Sequence, residues 1–227
     1  MAKVLPIDRS RPDPELIAQA VAVVRSGGIV AYLTDTLYGL GVDPFIPEAV
    51  QRIFTMKSRV EEKALPLIIG GREVLPRLVR EIPPVAEVLA DRFWPGPLSL
   101  ILPASPVLPP ILLGYSSTIA VRWPASPVAS TLALAAGGAL TATSANRSDA
   151  APARTAQEVV AVFGSDVDLV LDSGSATELR PSTMVDVTAV PPRIVREGPI
   201  TSESIQRILN PVHETGNPIP SPVRLQR

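Results

Sequence analysis

The sequence predicts an α/β layered domain built on a mixed sheet. Helical and strand patterns alternate along most of the chain, the signature of helices packed on a sheet. Near the end, short strands follow one another without helices between them, which argues against a purely parallel sheet. Size agrees, since 227 residues with 46% hydrophobic and 19% charged side chains can bury a substantial core.

Asp13-Pro14-Glu15 is a helix start, with Asp13 as N-cap and Pro14 in the first position. Leu16, Ala20, Val23 and Val24 then mark its buried face, and Gly27-Gly28 ends it. The apolar run over 28–33 reads as a buried strand that opens into a polar, glycine-bearing loop over 34–41. Pro47 starts a helix with Val50, Ile53 and Phe54 inward, ending in Met56-Lys57-Ser58-Arg59. A strand over 65–69 follows, then helical segments over 73–80 and 83–93, the first weakened by Pro76. Trp94-Pro95-Gly96-Pro97 makes a rigid corner before a strand over 98–102, and 103–117 is expected to be a surface loop. A strand over 118–123 precedes a helix over 127–136, and a strand over 139–143 runs out into Ser144-Ala145-Asn146. Thr155 and Glu158 form a capping box for the next helix. Strands over 169–171, 183–187 and 193–195 come next, then a helix capped by Thr201 or Ser202 through Leu209. One domain, 1–209, is therefore expected. The proline-rich tail over 210–227 is expected to be extended or disordered.

Composition removes several kinds of chemistry. Cysteine is absent, so disulfides, thiolate metal sites and a cysteine nucleophile are excluded. The single histidine, His213, lies in the tail, which leaves almost nothing from which to build a histidine-based zinc site or a Ser-His-Asp triad. A net charge of −1 gives no general footprint for nucleic acid or membrane, although it is compatible with a local basic cleft. The N-terminus lacks the apolar core of a signal peptide, and no run approaches the roughly 18 apolar residues of a membrane span. A soluble cytoplasmic protein with no membrane partner is expected. Prolines, 26 in all, mostly punctuate the elements.

Polar groups gather at the ends of the predicted strands: Thr34, Asp35 and Thr36, then Arg122, Ser144 with Asn146, Ser182 and Arg196. Open α/β sheets bind ligands at the carboxyl ends of their strands. Lys57, Arg59, Lys63, Arg122 and Arg196 would make such a cleft cationic, which suits a carboxylate together with a polyphosphate. Plain roles suit the same residues: Thr-Asp-Thr is turn chemistry, Lys and Arg complement a helix C-terminus, and Ser144 can cap a turn. No P-loop is present, and Gly39-Leu40-Gly41 lacks the third glycine of a dinucleotide fingerprint.

Residues 33–41, Leu-Thr-Asp-Thr-Leu-Tyr-Gly-Leu-Gly, are similar to a P-T-[DE]-T-x-Y-G-L-G pattern. Lys57-Ser58-Arg59 with Lys63 and Pro66-Leu67 matches a K-x-R element, and 93–99 matches F-W-P-G-P-L-T with one conservative change. V-x-R-x-P falls at Val121 to Pro124, S-x-N at Ser144 and Asn146, S-T-x-V-D at Ser182 to Asp186, and R-x-G at Arg196 to Gly198. In these seven motifs, in this order, the chain resembles the YrdC-like family of L-threonylcarbamoyladenylate synthases. The resemblance implies an open, twisted mixed sheet flanked by helices, with a concave cationic cleft. It implies a nucleotidyltransferase that joins L-threonine, bicarbonate or CO₂ and ATP, releases pyrophosphate and serves N6-threonylcarbamoyladenosine formation in tRNA. The partners it implies are tRNA and the proteins that transfer the threonylcarbamoyl group to it. L-threonine would be held by Thr36, Arg122, the backbone near Ala142, and Ser182. ATP would be held by Lys57, Arg59, Lys63, Thr118, Ser144, Asn146 and Arg196, with Mg²⁺ carried on its phosphates. The alternative is a non-catalytic RNA- or nucleotide-binding module on the same fold. Two departures motivate it, Ser148-Asp149 in place of the usual Ser-Gly and Pro152-Ala153-Arg154 in place of the usual Ser-Pro-Thr; Leu33 also replaces the leading proline.

Overall fold

Prolines and polar caps open most helices of the fold, which the computed structural model describes over residues 2–58, 64–148, 150–178 and 180–209. β1 (Lys3–Pro6) precedes α1 (Pro14–Arg25), where the Asp13 carboxylate accepts from the Glu15 N–H as expected. β2 (Val30–Leu33) and β3 (Tyr38–Gly41) form an antiparallel hairpin, followed by α2 (Pro47–Lys57) and β4 (Leu67–Ile69). The helix expected over 73–80 shrinks to a 3-10 turn at Arg72–Val74 and one α-turn, α3 (Leu75–Leu78). Pro76 has no N–H to donate and fits only a first turn. α4 (Pro84–Phe93), β5 (Leu98–Pro103), β6 (Thr118–Arg122) and α5 (Pro127–Ala135) match expectation within one residue at each end. β7 (Ala139–Thr141), β8 (Thr143–Ser144), α6 (Ala156–Phe163), β9 (Leu169–Asp172), β10 (Thr183–Asp186), β11 (Arg193–Arg196) and α7 (Ser202–Leu209) complete the chain order. Thr155 caps α6 by accepting from the Glu158 N–H, but Glu158 returns its carboxylate to the Arg154 N–H rather than to that of Thr155. Among the described residues, no helix is long and apolar enough to cross a membrane.

The strands form two mixed sheets, a five-stranded one in the order β1-β9-β2-β3-β8 and a six-stranded one in the order β11-β10-β5-β6-β4-β7. β1 and β2 flank β9 in parallel. β5 runs parallel to β10 and antiparallel to β6. The five-stranded sheet is covered on both faces. Val30, Tyr32, Leu169 and Leu171 pack with Ile17, Val21, Val128 and Leu132 of α1 and α5, while Ala31, Leu33, Leu40 and Val170 turn to the main core. That core also takes Leu98, Leu100, Leu102, Ile119, Val121 and Val185 from one face of the six-stranded sheet. Side chains alternate along a strand. The other face, carrying Ser99, Ile101, Thr118, Ala120 and Met184, is therefore free of that core.

Three further expectations change, and one strand is added. The loop expected over 34–41 closes after Leu37, because Tyr38–Gly41 pairs with β2. Gly41 leaves room for its neighbour there, since a Cβ would stand 2.6 Å from the Tyr32 ring. The single strand expected over 139–143 breaks at Ala142, with β7 in the six-stranded sheet and β8 in the other. The expected surface loop at 103–117 buries Leu108, Leu112 and Leu113, and the Leu112 carbonyl accepts from the Leu65 N–H at 2.9 Å. β1, too short to register as a pattern, gains its strand geometry from pairing with β9. The tail over 210–227 lies outside the described residues.

Leu100 and Ile101 are sequence neighbours on opposite faces of one sheet. Leu100→Ala should lower unfolding free energy by about 2–5 kcal/mol. Ile101→Ala should cost less than half as much, and urea denaturation of the two variants checks the assignment of faces.

Candidate functional site

A cavity of about 550 Å³ lies over the second face of the six-stranded sheet. Period-two spacing builds its floor: Ser99 and Ile101 come from β5, Thr118, Ala120 and Arg122 from β6, and Ser182 and Met184 from the start of β10. Thr34, Thr36, Tyr38 and Gly39 of the hairpin, together with Ala142, Thr143 and Ser144 of the crossing segment, wall it from the other sheet. Val195 and Arg196 close it along β11. The location differs from the strand-end expectation, because Thr118 begins β6 and Ser182 precedes β10. α5 packs on this face at the β4–β7 edge, through Ile68 and Leu140, and the hollow lies over the part it leaves open.

One end of the cavity is organised by Arg122, which is only 7% exposed. Its Nη1 donates to the Thr36 hydroxyl at 3.1 Å, and its Nη2 forms a buried ion pair with Asp35. Thr36 is held in turn by Thr34, whose hydroxyl oxygen lies 3.0 Å from its own. The Thr34 hydroxyl also donates to the Leu37 carbonyl and accepts from the Thr36 and Leu37 N–H groups. This hydroxyl-stapled turn presents Thr36 to the guanidinium. Burial pulls the Arg122 guanidinium down to about 10, so it stays charged at neutral pH.

Beside it, Arg196 donates from Nε and Nη2 to the Ser182 carbonyl at 3.1 and 2.9 Å. The Ser182 and Ser99 hydroxyls hydrogen bond at 2.8 Å. Gly198 makes this contact possible, because its bare α-carbon packs on the backbone that carries Ser182. Burial lowers the Arg196 pKa as well. Among the described residues Arg196 makes no ion pair, unlike Arg122.

Lys57 is 3% exposed at the end of α2. Its ammonium donates to the Ser144 carbonyl, to the Asn146 carbonyl at 2.5 Å and to Asn146 Oδ1 at 3.1 Å. The Ser144 hydroxyl also donates to Asn146 Oδ1, at 2.5 Å. Lys57 thus fixes the turn that carries Ser144, and neither Lys57 nor Asn146 lines the cavity. The structure brings Thr36, Arg122, Ala142, Ser182, Thr118, Ser144 and Arg196 of the expected set to one cavity. Arg59, Lys63 and Asp149 lie outside the described residues. Arg154 is exposed and away from the cavity lining.

Sequence reasoning assigned no role to Ser99 or Tyr38, both of which line the cavity. Ser99 was legible in principle as a polar residue at an alternate position in an apolar strand. Tyr38 donates its phenol to the Gly174 carbonyl at 2.8 Å, and burial raises its pKa. That tie pins the hairpin to the Asp172-Ser173-Gly174 turn.

The family model described as "Telomere recombination", which groups Sua5, yciO and yrdC, matches residues 22–198. The chain is 37% identical over 204 residues to the threonylcarbamoyl-AMP synthase of Pyrococcus abyssi, covering 90% of this chain and 60% of that protein. It is 39% identical over 173 residues to the threonylcarbamoyl-AMP synthase of Halorhodospira halophila, covering 76% of this chain and 91% of the relative. A putative threonylcarbamoyl-AMP synthase of Mycobacterium tuberculosis is 34% identical over 201 residues, with 87% and 92% covered. The crystal structure of P. abyssi Sua5 complexed with L-threonine superposes with a TM-score of 0.87 at 36% identity, over 91% of this chain and 60% of that one. Escherichia coli YciO superposes with a TM-score of 0.80 at 28% identity, over 88% and 97%.

A Cβ at Gly198 would stand 2.2 Å from the Pro181 carbonyl oxygen. Gly198→Ala should therefore force the Ser182–Arg196 contact apart and cost about 1–3 kcal/mol. Thermal unfolding reads the cost. A loss of ligand protection larger than that of Leu100→Ala, which faces the main core, reads the damage to the cavity.

Proposed function

Because the chain belongs to the Sua5/YrdC family, we propose that it makes L-threonylcarbamoyladenylate from L-threonine, bicarbonate or CO₂ and Mg-ATP. The observation that carries this reading is the meeting, in one cavity, of Thr36, Arg122 and Ser182 with Thr118, Ser144 and Arg196. The first group suits an amino acid: a guanidinium for its carboxylate and hydroxyls for its polar atoms. The second suits a nucleotide, since Arg196 has no carboxylate partner among the described residues. The complex of P. abyssi Sua5 with L-threonine supports threonine as the amino acid.

The chemistry asks for no protein nucleophile. The threonine nitrogen, after losing its ammonium proton, attacks CO₂ and gives up a second proton to become a carbamate. A carbamate oxygen then bonds to the α-phosphorus of ATP. The bond from that phosphorus to the oxygen bridging it to the β-phosphorus breaks, and pyrophosphate leaves. Positioning and charge stabilisation supply the rate enhancement. Arg122 holds the carboxylate end, Arg196 faces the phosphates, and Ser144 stands at a fixed point between the sheets. Mg²⁺ arrives as part of the nucleotide substrate, on phosphate oxygens and water. The product serves threonylcarbamoyl transfer to an adenosine of tRNA, carried out by separate transfer proteins.

Pyrophosphate release by the purified chain with Mg-ATP, omitting threonine or bicarbonate in turn, tests the reading. Release that requires both, with the adenylate detected by mass, is the expected result. Nucleotide or RNA binding without release would replace it with the non-catalytic alternative. Within the cavity, Arg122→Ala should weaken threonine binding by about tenfold to a hundredfold and Arg196→Ala should weaken ATP binding similarly. Titration calorimetry on both variants separates the two halves.

A further inference from the structure

The two arginines of the cavity differ in what stands behind them. Arg122 and Thr36 line the cavity, whereas Asp35 does not, yet its carboxylate is paired with the Arg122 Nη2. Asp35 Oδ2 and Arg122 Nε are both buried without a hydrogen-bond partner among the described residues. These unpartnered atoms belong to the two residues of one ion pair. Asp35 thus meets the guanidinium at Nη2, and it is not among the residues that line the cavity. The Nη1 side, with Thr36, faces inward. In a wall this dry, charges are poorly screened by solvent, so the cavity meets a nearly neutral ion pair at this end. Arg196, a few side chains away, keeps its full charge.

We propose that Asp35 sets the charge selectivity of the amino-acid end, admitting a zwitterion and turning away a plain carboxylate. The proposal rests on the synthase reading, and it concerns which acceptors that site takes. A ligand with only a carboxylate gains the Arg122 fork but meets the field of Asp35 behind it. An α-amino acid brings its own ammonium, one carbon away, and that charge is attracted by Asp35 while the carboxylate is held by Arg122. Phosphates and hydroxy acids are left to the Arg196 end, so the two substrates sort themselves by net charge. Asp35 acts here as a positioning residue, through the field it adds to Arg122.

Calorimetric binding of L-threonine and of (R)-3-hydroxybutanoate, which is threonine without its amine, to the wild-type chain and to Asp35→Asn tests this. The wild type should prefer threonine by about tenfold or more, the worth of a charge-assisted contact. In Asp35→Asn threonine should weaken by about tenfold while the hydroxy acid tightens, since Arg122 is then uncompensated. Asp35→Glu should restore the wild-type order. Equal weakening of both ligands would reduce Asp35 to a brace for Arg122 and overturn the proposal, as would no change in either. Should Asp35→Asn fail to fold, the wild type alone decides, because equal affinity for the two ligands defeats the idea. Pyrophosphate release by the wild type is measured alongside. Threonine-selective binding without release would overturn the synthase reading while supporting the charge selectivity, so the two failures are told apart.

Discussion

The cavity depends on one buried hydroxyl. Thr141, with no exposed surface, donates to the Leu40 carbonyl at 3.1 Å and accepts from the Val42 N–H at 3.0 Å, while its own carbonyl accepts from the Tyr32 phenol at 2.7 Å. Its backbone meanwhile belongs to β7 in the six-stranded sheet. One residue later the Ala142 N–H donates to the Pro66 carbonyl, and the chain enters β8 in the five-stranded sheet. A polar group buried this deeply is costly unless every valence is met. Here the valences of a β7 residue are met by Leu40 and Tyr32 of the other sheet and by Val42 next to it, so satisfying Thr141 ties the two layers together. The hollow is lined by residues of both.

Rigid walls allow the charged groups inside to act. Lys57 spends its ammonium on the Ser144–Asn146 turn, and α2 is fastened from the other side, where Arg147 Nη1 donates to the Met56 carbonyl and the Ser148 N–H to that of Lys57. A lysine that a motif suggests as a phosphate ligand is, in the described residues, a fastener of the wall from which Ser144 faces the cavity. Site and scaffold are therefore not separate sets of residues.

Local signals in the sequence were enough for most elements. Asp13, Thr155 and the prolines at 14, 47 and 127 mark helix starts because a cap or a fixed φ acts within one turn. Alternation along β5, β6 and β10 likewise survives in the fold. What local patterns do not carry is partnership. Tyr38–Gly41 looks like a loop until β2 is beside it, since glycine has no strand preference of its own. The break at Ala142 is invisible because Ala139 to Thr143 is uniformly compatible with a strand, and only the distance between two sheets divides it. Leucines 108, 112 and 113 sit among prolines and serines that suggest solvent, yet they join the main core. For the site, residue types pointed to side chains of which several share one cavity, whereas the ion pair of Asp35 with Arg122 joins residues far apart in sequence. Only the fold displays it.

The parallel pairing of β1 with β9 also sets an order of events during synthesis. Lys3–Pro6 leaves the ribosome first, but its partner Leu169–Asp172 is more than 160 residues behind it. At translation rates of about 5–20 residues per second, the wait is roughly ten to thirty seconds. β2 shares that partner, so for this interval the hairpin has a bare parallel edge, rich in apolar side chains. A nascent chain in that state carries an unpaired, aggregation-prone strand edge, and the five-stranded layer closes only when β9 arrives.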